Sequence, residues 1–417
     1  MSNETETKQL KANAKPEEPT TFVAYIQRWF MRVRAGDLGS LPIILGLIVI
    51  AAIFGTLSEG IFFRERNFVN LLLQTSGVAA IAIGVVFVLL IAEIDLSVGF
   101  VSAVGGVIMT LLLRESHTDW PWWAAVGAAL LAVLVIGLIH GIIITKASVP
   151  SFVVTLAGLL AWSGVVLILT TEFSTAGTIV IQDDIILGVA NSYLPTNWSW
   201  IVFALIVAGY AIYELTQMNS MRQRNLASKP VSVIVAQVLS LAILAGATVW
   251  YANLDRGVPT SAVIVVIFAG IWTFVASRTK FGRYVYAVGG NPEAARRAGI
   301  NVDGIRIACF MISSFMAGIG GIILASRLRS VDTNTGGNSL ELNAIAAAVI
   351  GGTSLFGGTG KVTNAILGAL IIASVDNGMG LMGWPSGVKF VVNGCVLLAA
   401  VLIDSISRRN RSASGLA

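Results

Sequence analysis

The chain alternates between long stretches without a charge and short polar connections. Residues 41–58, 77–92, 126–139 and 391–403 are the clearest uncharged runs. A helix needs roughly 20 mostly apolar residues to cross the hydrocarbon core, and cutting the runs at their charges yields about 12 candidates, bounded by about 10 and 14. The runs are continuous rather than alternating apolar with polar, so they predict helices and not the strands of a barrel. The expected fold is an all-α, polytopic bundle of transmembrane helices over residues 39–407. Residues 1–38 open with Glu, Lys, Thr and Pro and little to bury, which predicts a disordered cytoplasmic tail. Residues 408–417 form a second, short cytoplasmic tail. The first apolar run begins only near Leu41, which argues against a signal peptide.

Two glycine-rich segments share a layout of apolar helix, polar break, apolar helix. One, residues 80–110, carries Glu93-Ile94-Asp95-Leu96-Ser97-Val98-Gly99 at its middle. The other, residues 343–372, carries Gly351-Gly352-Thr353-Ser354-Leu355-Phe356-Gly357-Gly358. Broken helices in internal repeats mark the substrate path of many transporters. Membrane helices also accumulate Gly and Ala simply because small residues let them pack closely. Both readings of the likeness stand on the pattern alone.

Composition sharpens the class. Hydrophobic residues make up 56% of the 417 and charged ones 12%, and mean hydropathy is +0.83, too little charge to coat a soluble domain. Cys309 and Cys395 both sit in apolar segments and predict packing, not a disulfide framework. The net charge of +5 reports topology rather than a nucleic-acid partner. Arg28, Arg32 and Arg34 precede the first span, and Arg408, Arg409 and Arg411 follow the last. Both termini therefore read as cytoplasmic, with an even number of crossings. Arg222, Arg224 and Lys229 mark another inner loop, and residues 278–306 the most basic one. Residues 171–198 carry Glu172, Asp183 and Asp184 without Lys or Arg and read as external, with Trp198 and Trp200 at the interface.

The basic inner loop spells a capped helix. Asn291 suits the N-cap, Pro292 the first turn and Glu293 the positive end of the dipole; Ala294 and Ala295 follow. Arg296 and Arg297 suit the negative end, and Gly299 the left-handed stop. Such a helix either rests on its own bundle or docks a partner. Glu93, Asp95 and Ser97, and Asp376 with Asn377, are polar groups bordering apolar runs. Charges at membrane depth are costly and usually face a cavity or a partner, which makes these residues candidates for a translocation path or gate. The competing reading is that they sit at helix ends, with Asp95 or Ser97 capping the next helix. Arg327 and Arg329, near an outer end, suit acidic groups on a binding protein or an anchoring, snorkelling role.

Other chemistry, including that of a membrane-embedded enzyme, finds weak support. Gly357-Gly358-Thr359-Gly360-Lys361 imitates a phosphate loop, but Leu355 stands in place of the first Gly and Val362 in place of the hydroxyl. His117 and His140 lack metal-ligand spacing, and no catalytic set is clustered.

Glu293-Ala294-Ala295 followed by Gly299 resembles the cytoplasmic helix by which bacterial ABC-importer permeases dock on their ATPase. Residues 93–99, Val149-Pro150-Ser151-Phe152-Val153-Val154-Thr155-Leu156-Ala157-Gly158, and residues 348–355 resemble the ribose/galactose/xylose branch of that family. Ser374-Val375-Asp376-Asn377-Gly378-Met379, the additional spans between Trp200 and Tyr251, and Arg256-Gly257-Val258-Pro259 look most like its xylose-type members. The resemblance implies a monosaccharide path without enzymatic activity in this chain and without a cofactor of its own. ATP would be used by a partner ATPase subunit, a periplasmic or tethered sugar-binding protein would deliver the sugar, and a second permease copy would complete the path. The alternatives are a related permease for another small solute, or an ion-coupled secondary transporter using Glu93 or Asp95 as its proton or sodium site.

Overall fold

The computed structural model describes residues 27, 31, 41–114, 118–224 and 228–413. Of the expected N-terminal tail only Gln27 and Met31 are described, both helical; Arg28, Arg32, Arg34 and residues 1–20 lie outside the described residues, as does His117. Fifteen α-helices follow, among the described residues. They are α1 (Leu41–Leu57), α2 (Glu65–Leu90), α3 (Val98–Leu112), α4 (Trp122–Lys146) and α5 (Ser151–Glu172), then α6 (Asp184–Asn191), α7 (Thr196–Gln223), α8 (Val231–Ala252), α9 (Thr260–Arg278) and α10 (Lys280–Gly290). The last five are α11 (Pro292–Arg297), α12 (Val302–Leu328), α13 (Leu340–Ile350), α14 (Asn364–Leu381) and α15 (Ser386–Ala413).

Eight of these are long and apolar enough to cross a membrane: α2, α4, α5, α7, α8, α9, α12 and α14. α1, α3, α13 and the stretch Ser386–Ala399 of α15 are shorter apolar helices. The apolar runs of the sequence thus become a polytopic helical bundle. Residues 408–413, assigned to a tail by their charge, continue α15 as helix.

Proline sets where five spans begin. Pro121, Pro150, Pro195, Pro230 and Pro259 occupy the N-caps of α4, α5, α7, α8 and α9 with φ between −54 and −62°. Proline has no N–H to leave unpaired and disfavours helix in the residue before it, so each connection is stopped and restarted at that point.

The bundle has a centre and a margin. The most apolar window of α2 is 83% buried, against 11% for α7 and α8. α2, α3, α4 and α12 pack around one another with α13 and α14, and the α7–α8 hairpin lies at the rim. The polar groups of that hairpin are paired within it and with α9: Lys229 reaches back to the buried Glu214 at 3.0 Å, and Arg278 at the end of α9 stacks over the Tyr213 ring and donates to Gln217.

The segment read as external has its own structure. Strand β1 (Thr178–Val180) pairs antiparallel with β2 (Ser330–Asp332), Ile179 opposite Val331. α6 is capped by Asp183, which accepts from Ile186 N at 2.9 Å, and buries Ile186 and Ala190. Ser326 of α12 fastens it, accepting from Ala190 N and donating to Leu187 O. Trp198 and Trp200 stand exposed at the start of α7. Cys309 is buried and Cys395 exposed, both free thiols.

Candidate translocation and coupling site

Both breaks form where the glycine and acid clusters stand. The first is the non-helical segment between Leu90 and Val98, entered through Ala92 at φ +60°. The second separates Ile350 from Asn364 and turns on Gly352, Gly357 and Gly358, all with positive φ. The two breaks touch: Gly358 N donates to Leu90 O at 2.9 Å. A carbonyl left over at the end of one helix is thus satisfied by the other break. The phosphate-loop look-alike lies inside this second break.

Asp95 is the centre of the first break and is 1% exposed. Its Oδ1 accepts from Ser97 N at 3.0 Å and Ser97 Oγ at 2.6 Å; its Oδ2 accepts from Ser313 Oγ of α12 at 3.0 Å. His140 of α4 continues the chain. Trp162 Nε1 donates to His140 Nε2 at 3.2 Å, and an indole can only donate, so Nε2 is unprotonated and the ring proton sits on Nδ1. Nδ1 faces Ser97 Oγ at 3.4 Å. Hydrogen bonds therefore run in one direction, Trp162 to His140 to Ser97 to Asp95. Ser97 stands at the N-cap of α3 without making a side-chain cap, because its hydroxyl is committed to Asp95. The capping role expected for Asp95 or Ser97 is displaced by this tertiary network.

α5 presents a matching face. Ser151, Thr155 and Gly158 recur at helical spacing, and Ser151 Oγ accepts from Ile94 N at 3.2 Å while Thr155 Oγ1 donates to Ile94 O at 3.3 Å. A Cβ at Gly158 would lie 2.7 Å from His140 Nε2. Two motif segments far apart in sequence are one structural unit.

Glu93 is paired with Arg306 of α12 at 3.3 Å. Asp376 lies within α14 rather than at its end, and accepts from Asn393 Nδ2 at 2.9 Å. Asn377 is buried and trades two hydrogen bonds with Asn67 of α2, at 2.9 and 3.0 Å, tying α14 to α2. The structure thus separates the polar candidates into a cluster at the first break and a second cluster between α2, α14 and α15.

The capped inner helix is α11. Asn291 Oδ1 accepts from Ala294 N at 2.9 Å, Pro292 opens the helix, and Glu293 pairs with Arg296 at 3.0 Å. Gly299 takes φ +82°, Gly299 N reaches Arg296 O and Ile300 N reaches Ala295 O, the paired closure of a left-handed C-terminal cap. Only Ala295 is buried; Glu293, Ala294, Arg296 and Arg297 are exposed. The helix touches its own bundle through Ala295, which joins the main apolar core, and leaves most of its other surface exposed. It is anchored at one alanine and by Asp303, which lies 3.9 Å from Arg296 and pairs with Lys146 at 2.8 Å. Upstream, Tyr286 Oη donates to Gly360 O in the second break at 2.8 Å. Burial pushes the Tyr286 phenol above its ordinary value, which keeps this donor protonated.

Arg327 is half-buried and Arg329, at φ +59°, ends α12 in solvent reach. Among the described residues no group of His, Cys, Asp or Glu is placed to hold a metal ion. Trp162, Ser313 and Asn67 are not singled out by the sequence as site residues, His140 stands there only as a residue without metal-ligand spacing, and Arg306 only as the end of the basic loop. The available signal was a lone polar side chain inside an apolar run, which must find a partner when buried but does not reveal which.

Long apolar helices, two of them interrupted around buried polar groups, and a capped helix left exposed beside the interruptions define a membrane transport subunit. The chain belongs to the family described as the permease component of the branched-chain amino acid transport system, whose model matches residues 67–401. It is 37% identical to the xylose transport system permease protein XylH of Escherichia coli K12 over 381 residues, covering 91% of this chain and 95% of that protein. The Haemophilus influenzae XylH is 36% identical over 374 residues, 88% of this chain and 96% of the relative. The ribose import permease protein RbsC of E. coli K12 is 32% identical over 363 residues, 87% and 92% of the two chains. No solved structure matches. The chain is a multi-pass membrane permease and not an enzyme.

Proposed function

We propose that this chain is the membrane-spanning subunit of an ATP-driven importer that carries a monosaccharide, D-xylose first among them, across the cytoplasmic membrane. The observation that carries the reading is α11, a capped helix that buries Ala295 and leaves Glu293, Ala294, Arg296 and Arg297 exposed. A capped helix transmits a push that a flexible loop would absorb, and an ATPase subunit with two nucleotide-binding domains is the partner that supplies one. A periplasmic or tethered binding protein delivers the sugar, and a second copy of the chain completes the path. Both termini are cytoplasmic in this scheme, in keeping with the basic inner loops.

The buried groups divide the work. Asp95 and Ser97 hold the first break as part of the gate, Glu93 ties the break to α12 through Arg306, and Asp376 with Asn377 steadies α14 beside the path. Glu93, Asp95 and Asp376 each have an ion-pair or hydrogen-bond partner within the chain, which favours a gate over an ion-coupled mechanism. The family description names branched-chain amino acids, but the relatives named for xylose and ribose are alike along nearly the whole chain. Sugar is therefore the preferred cargo.

Proteoliposomes test this. The chain with its ATPase and binding protein is expected to import labelled xylose when ATP is supplied, in preference to ribose or leucine. The chain alone is expected neither to hydrolyse ATP nor to accumulate sugar, and gradient-driven uptake by the isolated chain would overturn the reading. Glu293→Arg removes the pair with Arg296 and sets a cation at the positive end of α11, and uptake should fall about thirtyfold, the size of one interface hot spot of about 2 kcal/mol. Unchanged uptake with normal ATPase co-purification would count against α11 as the contact.

A further inference from the structure

α10 ends in Gly289-Gly290, immediately before the Asn291 cap of α11. The two glycines meet different surroundings. A Cβ on Gly289 would lie 1.7 Å from Leu90 O and 2.7 Å from Gly358 N, whereas a Cβ on Gly290 would meet nothing within 4 Å. Leu90 O and Gly358 N are the very atoms that join the two breaks, at 2.9 Å. From the other side, a Cβ on Gly357 would sit 2.8 Å from Gly289 O and 2.9 Å from Ala92 N. Three main chains therefore touch at one place with no side chain between them: the end of α2, the second break and the end of α10. Tyr286, one turn earlier on α10, holds Gly360 O.

Resting on the transport reading above, we infer that Gly289 is a positioning residue, the joint through which displacement of α11 reaches both helix breaks at once. Side-chain contacts would let α10 slide before the breaks responded, because rotamers take up slack. Main chain in direct contact cannot, since packed elements shift between discrete arrangements and do not deform continuously. The hydroxyl of Tyr286 keeps the second break seated on α10 as α10 moves. The joint also explains why the two breaks need not be linked by any charged pair: one glycine addresses both.

The discriminating quantity is sugar imported per ATP hydrolysed, measured in the complete reconstituted complex. A purely structural defect lowers the yield of complex and both rates together, leaving this ratio alone. Gly289→Ala is expected to lower the ratio about fivefold, and Gly290→Ala to leave it near the unsubstituted value. Equal ratios in the two variants would overturn the joint. Where Gly289→Ala fails to assemble, Tyr286→Phe decides, because it removes one hydroxyl; its ratio should fall about twofold, while Tyr284→Phe, on the exposed face of α10, should not change it. A Tyr286→Phe ratio equal to that of Tyr284→Phe would overturn the joint as well. Absence of ATP-driven uptake by the unsubstituted complex is a different failure, of the transport reading itself, and takes the joint with it.

Discussion

Asp95→Leu is expected to abolish uptake and to leave little folded protein after detergent extraction. The substitution removes the acceptor for Ser97 N, Ser97 Oγ and Ser313 Oγ while leaving all three donors buried. Each unsatisfied group costs about 1–3 kcal/mol, and the three together, discounted for non-additivity, cost about 3–5 kcal/mol. Few single substitutions exceed that range. Ser313→Ala is the graded companion. It removes one donor from Oδ2 and should cost about 1 kcal/mol, visible as a small loss of thermal stability with uptake largely kept. Fluorescence-detected size exclusion after a temperature ramp reads both. An Asp95→Leu protein as heat-resistant as the unsubstituted chain would mean that the network is not what holds the first break.

Gly321→Ala should be the other severe lesion. A Cβ at Gly321 would fall 1.9 Å from Ser102 O, main chain against side chain with no rotamer able to relieve it. α3 and α12 would have to part, and with them the close approach of Gly105 to Gly318, where a Cβ at Gly105 already lies 3.3 Å from the opposite Cα. Overpacking of this kind costs about 1–3 kcal/mol. α12 carries both Ser313 and Arg306, the partners of Asp95 and Glu93, so moving it disturbs the whole first break and uptake should fall together with stability. Gly164→Ala is the control, since its Cβ would meet nothing within 4 Å and alanine favours helix by about 1 kcal/mol. The same thermal ramp should show Gly164→Ala unchanged or slightly raised and Gly321→Ala lowered. Similar behaviour of the two would sink the idea that α3 and α12 depend on that contact.

What could be read from the chain alone follows from locality. A continuous uncharged apolar run declares a helix without reference to any neighbour, and the runs around 41–58, 77–92, 126–139 and 391–403 do so for α1, α2, α4 and α15. The caps of α11 are equally local. Asn291, Pro292 and Gly299 satisfy or omit main-chain groups within a few residues, and the sequence places each in the role the structure gives it. The breaks, too, were announced by Gly and Asp clusters inside apolar stretches.

Long-range pairings were a different matter. Asn67 and Asn377 are 310 residues apart, and nothing in either neighbourhood names the other. His140 reads as a stray polar residue until α5 brings Trp162 to one nitrogen and the first break brings Ser97 to the other. Asp376, expected near a helix end, lies inside α14 because the helix runs on to Leu381. The small sheet of β1 and β2 joins three-residue segments too short to show an alternating pattern.

The opening pattern of uncharged runs therefore determined that this protein lies in the membrane as helices, where two of those helices break, and that one capped helix stands outside. These properties rest on hydrophobic length and on hydrogen bonds closed within a turn or two. Only the tertiary structure decided that α2 is central and α7–α8 marginal, that Asp95 is enclosed by three helices, and that both breaks and the approach to α11 meet at Gly289. Those facts depend on which main chains can approach one another, and a glycine in a sequence does not say what it is making room for.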